Sequence, residues 1–485
     1  MTGNWINTKF SHAKAFHKLD CLLINPPDDF SRYPYLGLCF LAGSLRKHGM
    51  RVEIIDSAAL GLSIKEVISF ILMKKPKIIG ISIMSMTLPH CFQLIKAIKM
   101  NCPEVSIVVG GAHVNADPGI LIHLDVKYGF IGESEYAFAK YCEKVLGGQW
   151  PEAIEGLIVN DGGEINVSSP PTIVSNLDLL PNPAYELLPL DKYYSPSTHL
   201  KTISMITSRG CPYNCVYCSR LQKTPYRSMS PNKILNQIED LINRDGIQWI
   251  EFVDEIFTLD RAKVIEMCEG ILKKGLRFYW GVGTRVDKLD EELIKLMRGA
   301  GCRKIGFGVE SGSERVRYLE NKRIKNEQYI RTVEICRKYR IKTMASYIFG
   351  HPTETEDEMW QTIKFAGCLQ TDVAYFNQMI PIPGSELFEN AKRAHSIPSD
   401  VWVSFMNGKV GYPIFYPEGI KPEKMANIYR QAWFRYYFSL KSLYKYLWLL
   451  LRPGTLFRSL KAFMATVFGK RYKRSFWGEE GAEFL

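Results

Sequence analysis

The sequence predicts an α/β protein with two successive units: a doubly wound parallel sheet, then a partial six-unit (β/α) barrel. A helical C-terminal region follows. Three observations carry this. Apolar strand-length runs alternate with amphipathic helix-length stretches from residue 21 to 146. A proline-rich stretch then breaks the pattern. From residue 202 the alternation resumes for six further units. At 485 residues and 46% apolar composition the chain can hold two or three domains. The expected divisions are 1–168, a connector over 169–200, a barrel over 201–420, and a tail over 421–485.

In the first unit, strands are expected at Cys21–Asn25, Val52–Ile55, Ile78–Ile83, Val105–Val109 and Tyr128–Ile131. Helices are expected at Leu36–His48, Ile64–Lys74, His90–Met100 and Ser134–Leu146. Gly156–Val167 reads as a hairpin turning on Asp161-Gly162-Gly163. The connector, with Pro181, Pro183 and Pro189, reads as extended and stiff. In the second unit, strands are expected at Ile203–Thr207, Trp249–Val253, Phe278–Gly283, Lys304–Val309, Lys342–Phe349 and Val373–Met379. The intervening helices are Pro231–Asn243, Ala262–Lys273, Glu291–Arg298, Glu327–Tyr339 and Asp357–Cys368. Ligands of such sheets bind at the carboxyl ends of strands. That places the candidate contacts of the first unit at Asn25, Ser85 and Thr87, Gly110, Gly111 and His113, and Glu133.

The most specific signal is Cys211-Pro-Tyr-Asn-Cys215-Val-Tyr-Cys218, a C-x3-C-x2-C loop after the first barrel strand. Three thiolates on one loop can hold three irons of a four-iron cluster. The fourth iron then keeps an open position for a small molecule. Structural zinc wants four ligands, and no nearby fourth Cys or His completes the set.

This loop and the turns around it resemble the radical S-adenosylmethionine (radical SAM) superfamily. The resemblance implies a [4Fe-4S] cluster on Cys211, Cys215 and Cys218, with SAM chelated at the open iron and reductively cleaved to a 5′-deoxyadenosyl radical. The N-P-P opening, the V-V-G-G-A-H turn and the G-E-S-E turn resemble the cobalamin-binding, Rossmann-like domain of one branch of that superfamily. On that resemblance Asn25, Ser85, Thr87, Gly110, Gly111, His113 and Glu133 are cobalamin contacts. The two glycines would allow close approach of the corrin, and the two hydroxyls would bond its nucleotide tail. Familiar members carry D-x-H-x-x-G after the first strand. This chain has Asn25-Pro26-Pro27-Asp28-Asp29-Phe30, with no His. A bound cobalt would therefore lack a His lower ligand. His113, on another turn, suits a tail contact or a local structural role better than ligation.

The barrel turns carry further matches. Tyr217 fills the aromatic slot beside the adenine. Asp254 or Glu255 would receive the methionine ammonium of SAM. Arg285 would pair with its carboxylate or form a structural ion pair. Glu310 and Ser311, in a G-x-E-S-G turn, would face the ribose or methionine. His351 is a proton carrier or an ordinary loop residue.

Nine further cysteines scattered along the chain, no apolar N-terminal segment within Met1–Asp20 and no run long enough to span a bilayer suggest a reducing cytoplasm. The net charge is +12, and residues 421–485 hold thirteen Lys/Arg against four Asp/Glu, with sixteen aromatics. A helix is expected at Ile428–Leu451, with Trp433, Phe434, Tyr437, Leu440, Tyr444 and Leu447 near one face. A second is expected at Leu456–Phe468. Such a tail could lie on an anionic membrane at the inner face, or cap the barrel mouth. The cap is the simpler expectation.

The resemblance, over about residues 20–390, implies methylation of an unactivated carbon of a small-molecule or lipid-like substrate, with flavodoxin or ferredoxin as electron donor. The branch also includes a ring-forming cyclase, which is the first alternative. A tRNA methylthiotransferase would need three more cluster cysteines, and Cys21, Cys39, Cys91, Cys102 and Cys142 do not match in spacing. A non-catalytic iron–sulfur sensor is the remaining alternative. No RNA-binding module argues for nucleic acid.

Overall fold

A computed structural model describes residues 18–28, 34–195, 198–219 and 224–439. The expected tail beyond Ser439, including Tyr444, Leu447 and the second helix, lies outside the described residues, as do Asp29 and Phe30.

The first sheet contains β1 (Cys21–Asn25), β2 (Val52–Asp56), β3 (Ile78–Ser82), β4 (Ser106–Gly110), β5 (Tyr128–Phe130), β6 (Leu157–Asp161) and β7 (Glu164–Val167), in the spatial order β2-β1-β3-β4-β5-β6-β7. The first five strands are mutually parallel, and the β6–β7 hairpin extends the sheet antiparallel. Each strand alternates sides, so a strand buried on both faces divides its side chains between two cores. In β1, Cys21 and Leu23 enter one core, while Leu22 and Ile24 enter the other. The chain reverses direction across the sheet between β1 and β3. That switch point is where open α/β sheets present ligand crevices.

The second sheet is β8 (Thr202–Met205), β11 (Trp249–Phe252), β12 (Tyr279–Gly283), β13 (Cys302–Glu310), β14 (Lys342–Phe349) and β15 (Val373–Gln378), in that order and all parallel. A short hairpin of β9 (Ser208–Arg209) and β10 (Arg227–Ser228) brackets the cysteine loop. One sheet face is packed: Ile250, Phe252, Trp280, Val282, Phe307, Tyr347 and Phe376 lie in the main core. The other face mixes glycines and polar side chains with Trp249, Tyr279, Met344 and Tyr375. There Lys304 Nζ meets Glu251 at 2.7 Å, beside Gly281, and Asn377 Nδ2 donates to Ser346 Oγ at 3.2 Å.

The connector over 169–200 is not the stiff extended spacer that its prolines suggest. It folds into three single 3₁₀ turns and buries Leu177, Leu180, Tyr185, Leu188 and Tyr193 in the core shared by the first sheet and the barrel. Tyr193 Oη donates to Asp56 Oδ2 (2.6 Å), and Tyr185 Oη donates to the Ser204 carbonyl (3.1 Å). Proline set the backbone angles, but apolar burial decided the packing.

The tail helix is Pro422–Tyr437, starting six residues before the expected Ile428. It packs on the helix Glu356–Leu369 and on β15, so it is the sixth helix of the barrel rather than a cap. Met425 lies near Gly350, just beyond the carboxyl end of β14, while Tyr437 Oη bonds Ala374 near the start of β15. The buried face is Met425, Ile428, Ala432, Trp433 and Tyr436. Phe434, placed by periodicity on the apolar face, instead points outward and stacks on Phe438. Trp433→Ala should cost about 3–5 kcal/mol in a denaturant melt, whereas Phe434→Ala should stay within about 0.5 kcal/mol. Equal costs would contradict this packing.

Candidate cofactor site at the barrel mouth

The cysteine loop leaves the barrel where Asp254 holds it. Asp254 is buried and accepts hydrogen bonds from Thr207 N (3.1 Å), Thr207 Oγ1 (2.8 Å) and Ser208 Oγ. Burial pushes its carboxyl up, against the pull of the nearby Lys263 ammonium. The acceptor expected for the SAM ammonium is thus spent inside the fold. Its neighbour Glu255 is exposed and lies near Gly210 and Cys211, so of the pair it is the one that faces the mouth.

Gly210 has φ +88°, and a Cβ there would meet the Thr224 carbonyl at 2.8 Å, so the loop needs glycine to turn. Cys211 and Cys215 are half-buried, and Cys218 is exposed. The loop is pinned by Leu387 N donating to the Val216 carbonyl (3.0 Å) and by Ser219 Oγ donating to the Pro383 carbonyl (2.9 Å). Among the described residues, no three His, Cys, Asp or Glu side chains converge as a ready-made metal site. The donor set nonetheless suits a thiolate-held cluster: Arg285 and Lys322 lie near Cys215, where cations can meet the negative charge that three bound thiolates would bring. Burial pushes the Cys211 thiol up, and it pushes the core thiols Cys91, Cys268 and Cys336 up to about 12.

Arg285 does not offer a free fork. It pairs bidentately with Asp287 (2.9 and 3.0 Å), donates to the Lys322 carbonyl (3.1 Å) and lies 3.8 Å over the Tyr213 ring. It braces the cysteine loop, the structural ion pair that the sequence left open. The cation at the mouth is Lys322, which the sequence reading missed. Lys322 Nζ lies 2.6 Å from Glu310 Oε1, which also accepts from Tyr217 Oη at 3.1 Å. Burial pulls the Lys322 ammonium down, but Glu310 overrides it and the net shift is upward. Lys322 stands between two left-handed non-glycine residues, Asn321 (φ +58°) and Arg323 (φ +49°), and Glu310 itself has φ +66°. Such strain clusters at working sites. Its sequence signal was only a basic residue twelve positions after Glu310.

Ser311 is fully buried. Its hydroxyl bonds Thr362 Oγ1 (3.1 Å) and accepts from Ser313 N (3.1 Å), so it shapes the turn and does not face a ligand. His351 is also fully buried, behind Tyr217, with Nδ1 3.3 Å from Glu320 Oε1. It does not reach the mouth. The mouth's side wall is an aromatic cluster of Met379, Leu387, Phe388, Val401, Trp402, Phe405 and Phe415, on which Val216 and Tyr217 pack. Residues 379–415 therefore supply the cover expected from the tail.

The first sheet's carboxyl edge departs from the expected contacts in three places. Thr87 Oγ1 donates to the Met84 carbonyl (3.1 Å) and lies 3.7 Å from Cys91 Sγ, turned inward. Gly111 (φ +96°) is required by the backbone of Ile83, 2.8 Å from where its Cβ would be, not by a ligand. Glu133 is locked to Arg227 (2.7 and 2.9 Å) and accepts from Val174 N (2.8 Å). Three positions keep the character of a ligand edge. A Cβ at Gly110 would meet nothing closer than the Phe130 carbonyl at 3.8 Å. Asn25 donates to Asp56 (2.8 Å), but its buried Oδ1 has no partner among the described residues. His113 Nδ1 bonds Ser85 Oγ (2.9 Å), while its buried Nε2 has none among them. Orphaned buried polar atoms of this kind suit a polar cofactor that completes them. His113 is stacked edge-on against Trp402 at 5.6 Å, and burial lowers its pKa to about 4.

Two family models match these units. The radical SAM superfamily model covers residues 205–366, and the B12 binding domain model covers residues 30–141. An uncharacterised methyltransferase of Pyrococcus horikoshii is 30% identical over 85% of this chain and 89% of its own length. The anaerobic magnesium-protoporphyrin IX monomethyl ester cyclase of Cereibacter sphaeroides is 24% identical over 93% of this chain and 75% of its own. In fold, the chain is similar to the radical SAM methyltransferase TsrM of Kitasatospora setae, solved with tryptophan and a SAM analogue (TM-score 0.71, 18% identity, 85% of this chain and 88% of that one). The chain belongs to the cobalamin-binding radical SAM family. Its cofactors are a [4Fe-4S] cluster, SAM and cobalamin.

His113 makes a pH prediction. A histidine neutral in the fold must take up a proton on unfolding below its ordinary pKa. Stability is then complete above about pH 6.5 and falls as pH drops toward 4. His113→Gln should flatten that part of a urea-melt pH profile. An unchanged slope would show that His113 does not cause it.

Proposed function

We propose that this chain is a cobalamin-dependent radical SAM methyltransferase that methylates an unactivated carbon of a small-molecule or lipid-like substrate. The observation that carries the reading is the shared wall of residues 379–415. Trp402 in it touches His113 on the first sheet's ligand edge, and Val216 and Tyr217 of the cysteine loop pack on the same cluster. The cysteine loop and the first sheet's ligand edge thus border one apolar wall, and that adjacency supports a transfer between two cofactors.

In this reading Cys211, Cys215 and Cys218 hold the cluster, which supplies the electron for SAM cleavage. Lys322 receives the SAM carboxylate in place of Arg285, Glu255 the ammonium, and Tyr217 and Glu310 the adenosyl half. Asn25, Ser85, Gly110 and His113 face the corrin or its tail. The buried wall excludes water from the mouth. Flavodoxin or ferredoxin would supply the electron. A ring-forming outcome is the second reading, favoured by the cyclase relative, whose match extends over 93% of the chain.

Anaerobic reconstitution with iron, sulfide and hydroxocobalamin tests this. About four irons and one corrin per chain, with SAM cleaved to 5′-deoxyadenosine under dithionite, are expected. A cluster without retained corrin would remove the methyltransferase reading. Cys215→Ala should abolish cleavage, and cleavage by that variant would overturn the cluster assignment. Lys322→Met should weaken SAM binding at least about tenfold while the iron content holds. Unchanged affinity would return the carboxylate to another partner.

A further inference from the structure

The two strands that bracket the cysteine loop each carry an arginine, and the β9–β10 register sets Arg209 directly opposite Arg227. Like charges so placed repel, and burial makes an unpaired charge costly. Both arginines turn to a single feature of the other sheet, the Gly132-Glu133-Ser134-Glu135 turn. Arg209 Nη2 meets Glu135 Oε1 at 2.5 Å and has Glu133 at 3.7 Å. Arg227 grips both oxygens of Glu133 at 2.7 and 2.9 Å and donates to the Val174 carbonyl at 2.6 Å. The Glu133 side chain is 2% exposed and that of Arg227 8%. A planar fork on a planar carboxylate tolerates little sliding.

The placement matters more than the strength. Arg209 precedes Gly210 and Cys211, and Arg227 closes the same loop. On its other side the hairpin is tied to the barrel, because Asp254 takes Thr207 and Ser208. The loop's roots are therefore fixed to the barrel and to the first sheet at once. The turn that holds them starts two residues after β5, on the same carboxyl edge as Gly110 and His113.

We propose that Arg209 and Arg227, gripped by Glu135 and Glu133, are positioning residues that set the spacing between the cluster on the cysteine loop and the corrin on the first sheet. This rests on the two-cofactor reading above. It replaces the expected role of Glu133 as a cobalamin contact. A merely stabilising network would change melting alone. A positioning network also changes how strongly the two paramagnetic centres interact.

The test uses the full chain, reconstituted and reduced so that the cluster and cob(II)alamin are both paramagnetic. The readout is the microwave power that half-saturates the cob(II)alamin resonance, which a nearby fast-relaxing cluster raises. Arg209→Met and Glu135→Gln should lower that power several-fold at unchanged iron and corrin content. Arg209→Lys, which keeps the charge, should recover most of it. Wild-type power in both disrupted variants would overturn the proposal. Should Arg209→Met not fold, Glu135→Gln, equal in volume but without the charge that holds the arginine, decides by the same readout. A wild-type chain that retains no corrin would fail the two-cofactor reading before any variant is made, and this inference with it.

Discussion

The buried carboxylate of Asp254 is the constraint from which the site is built. A charge inside a protein must be met by donors, and here the donors are the residues that lead into the cysteine loop. The backbone after β8 is therefore fixed before the first cysteine is reached. Lys263 completes the charge balance, with Nζ donating to Thr207 Oγ1 at 3.1 Å and to Tyr226 Oη at 3.3 Å. Tyr226 is next to Arg227, so the same group of polar residues governs the loop's return.

Around that anchor the molecule divides its labour by strand face. Outward side chains of the barrel strands are aliphatic and aromatic, and merge with the core under the first sheet through Tyr185, Leu188 and Tyr193. Inward positions hold the glycines Gly281, Gly283, Gly306 and Gly308 and polar groups such as Glu251, Lys304, Ser346 and Asn377, among a few larger side chains. Glu310, Lys322 and Tyr217 then form a compact charged group where the strands end. Gly308 makes this possible, since a Cβ there would collide with the Glu310 carboxylate.

The strands and helices were legible because their signal is periodic and local. Lys342–Phe349 and Pro231–Asn243 fall where apolar spacing places them. The cysteine loop was legible because its spacing is chemical. Individual roles were less so, because sequence shows that a polar residue is at a turn but not which way it is consumed. Asp254, Arg285, Ser311, Thr87 and Glu133 all stand at the expected turns, yet each is spent on its own fold. Lys322 escaped notice because only the left-handed turn at Asn321 and Arg323 aims it inward. The connector was misjudged because proline content reports stiffness and says nothing of the Leu and Tyr residues that bury it.

The sixth helix also fixes the point from which the remaining basic, aromatic residues depart. It runs from Met425, near the carboxyl end of β14, to Tyr436 and Tyr437, bonded at Thr371 and Ala374 by the start of β15. Residue 439 thus stands at the foot of the barrel, on the far side from the cysteines. A ligand that entered at this end of the barrel would have the length of a strand to travel before it met the cysteine loop.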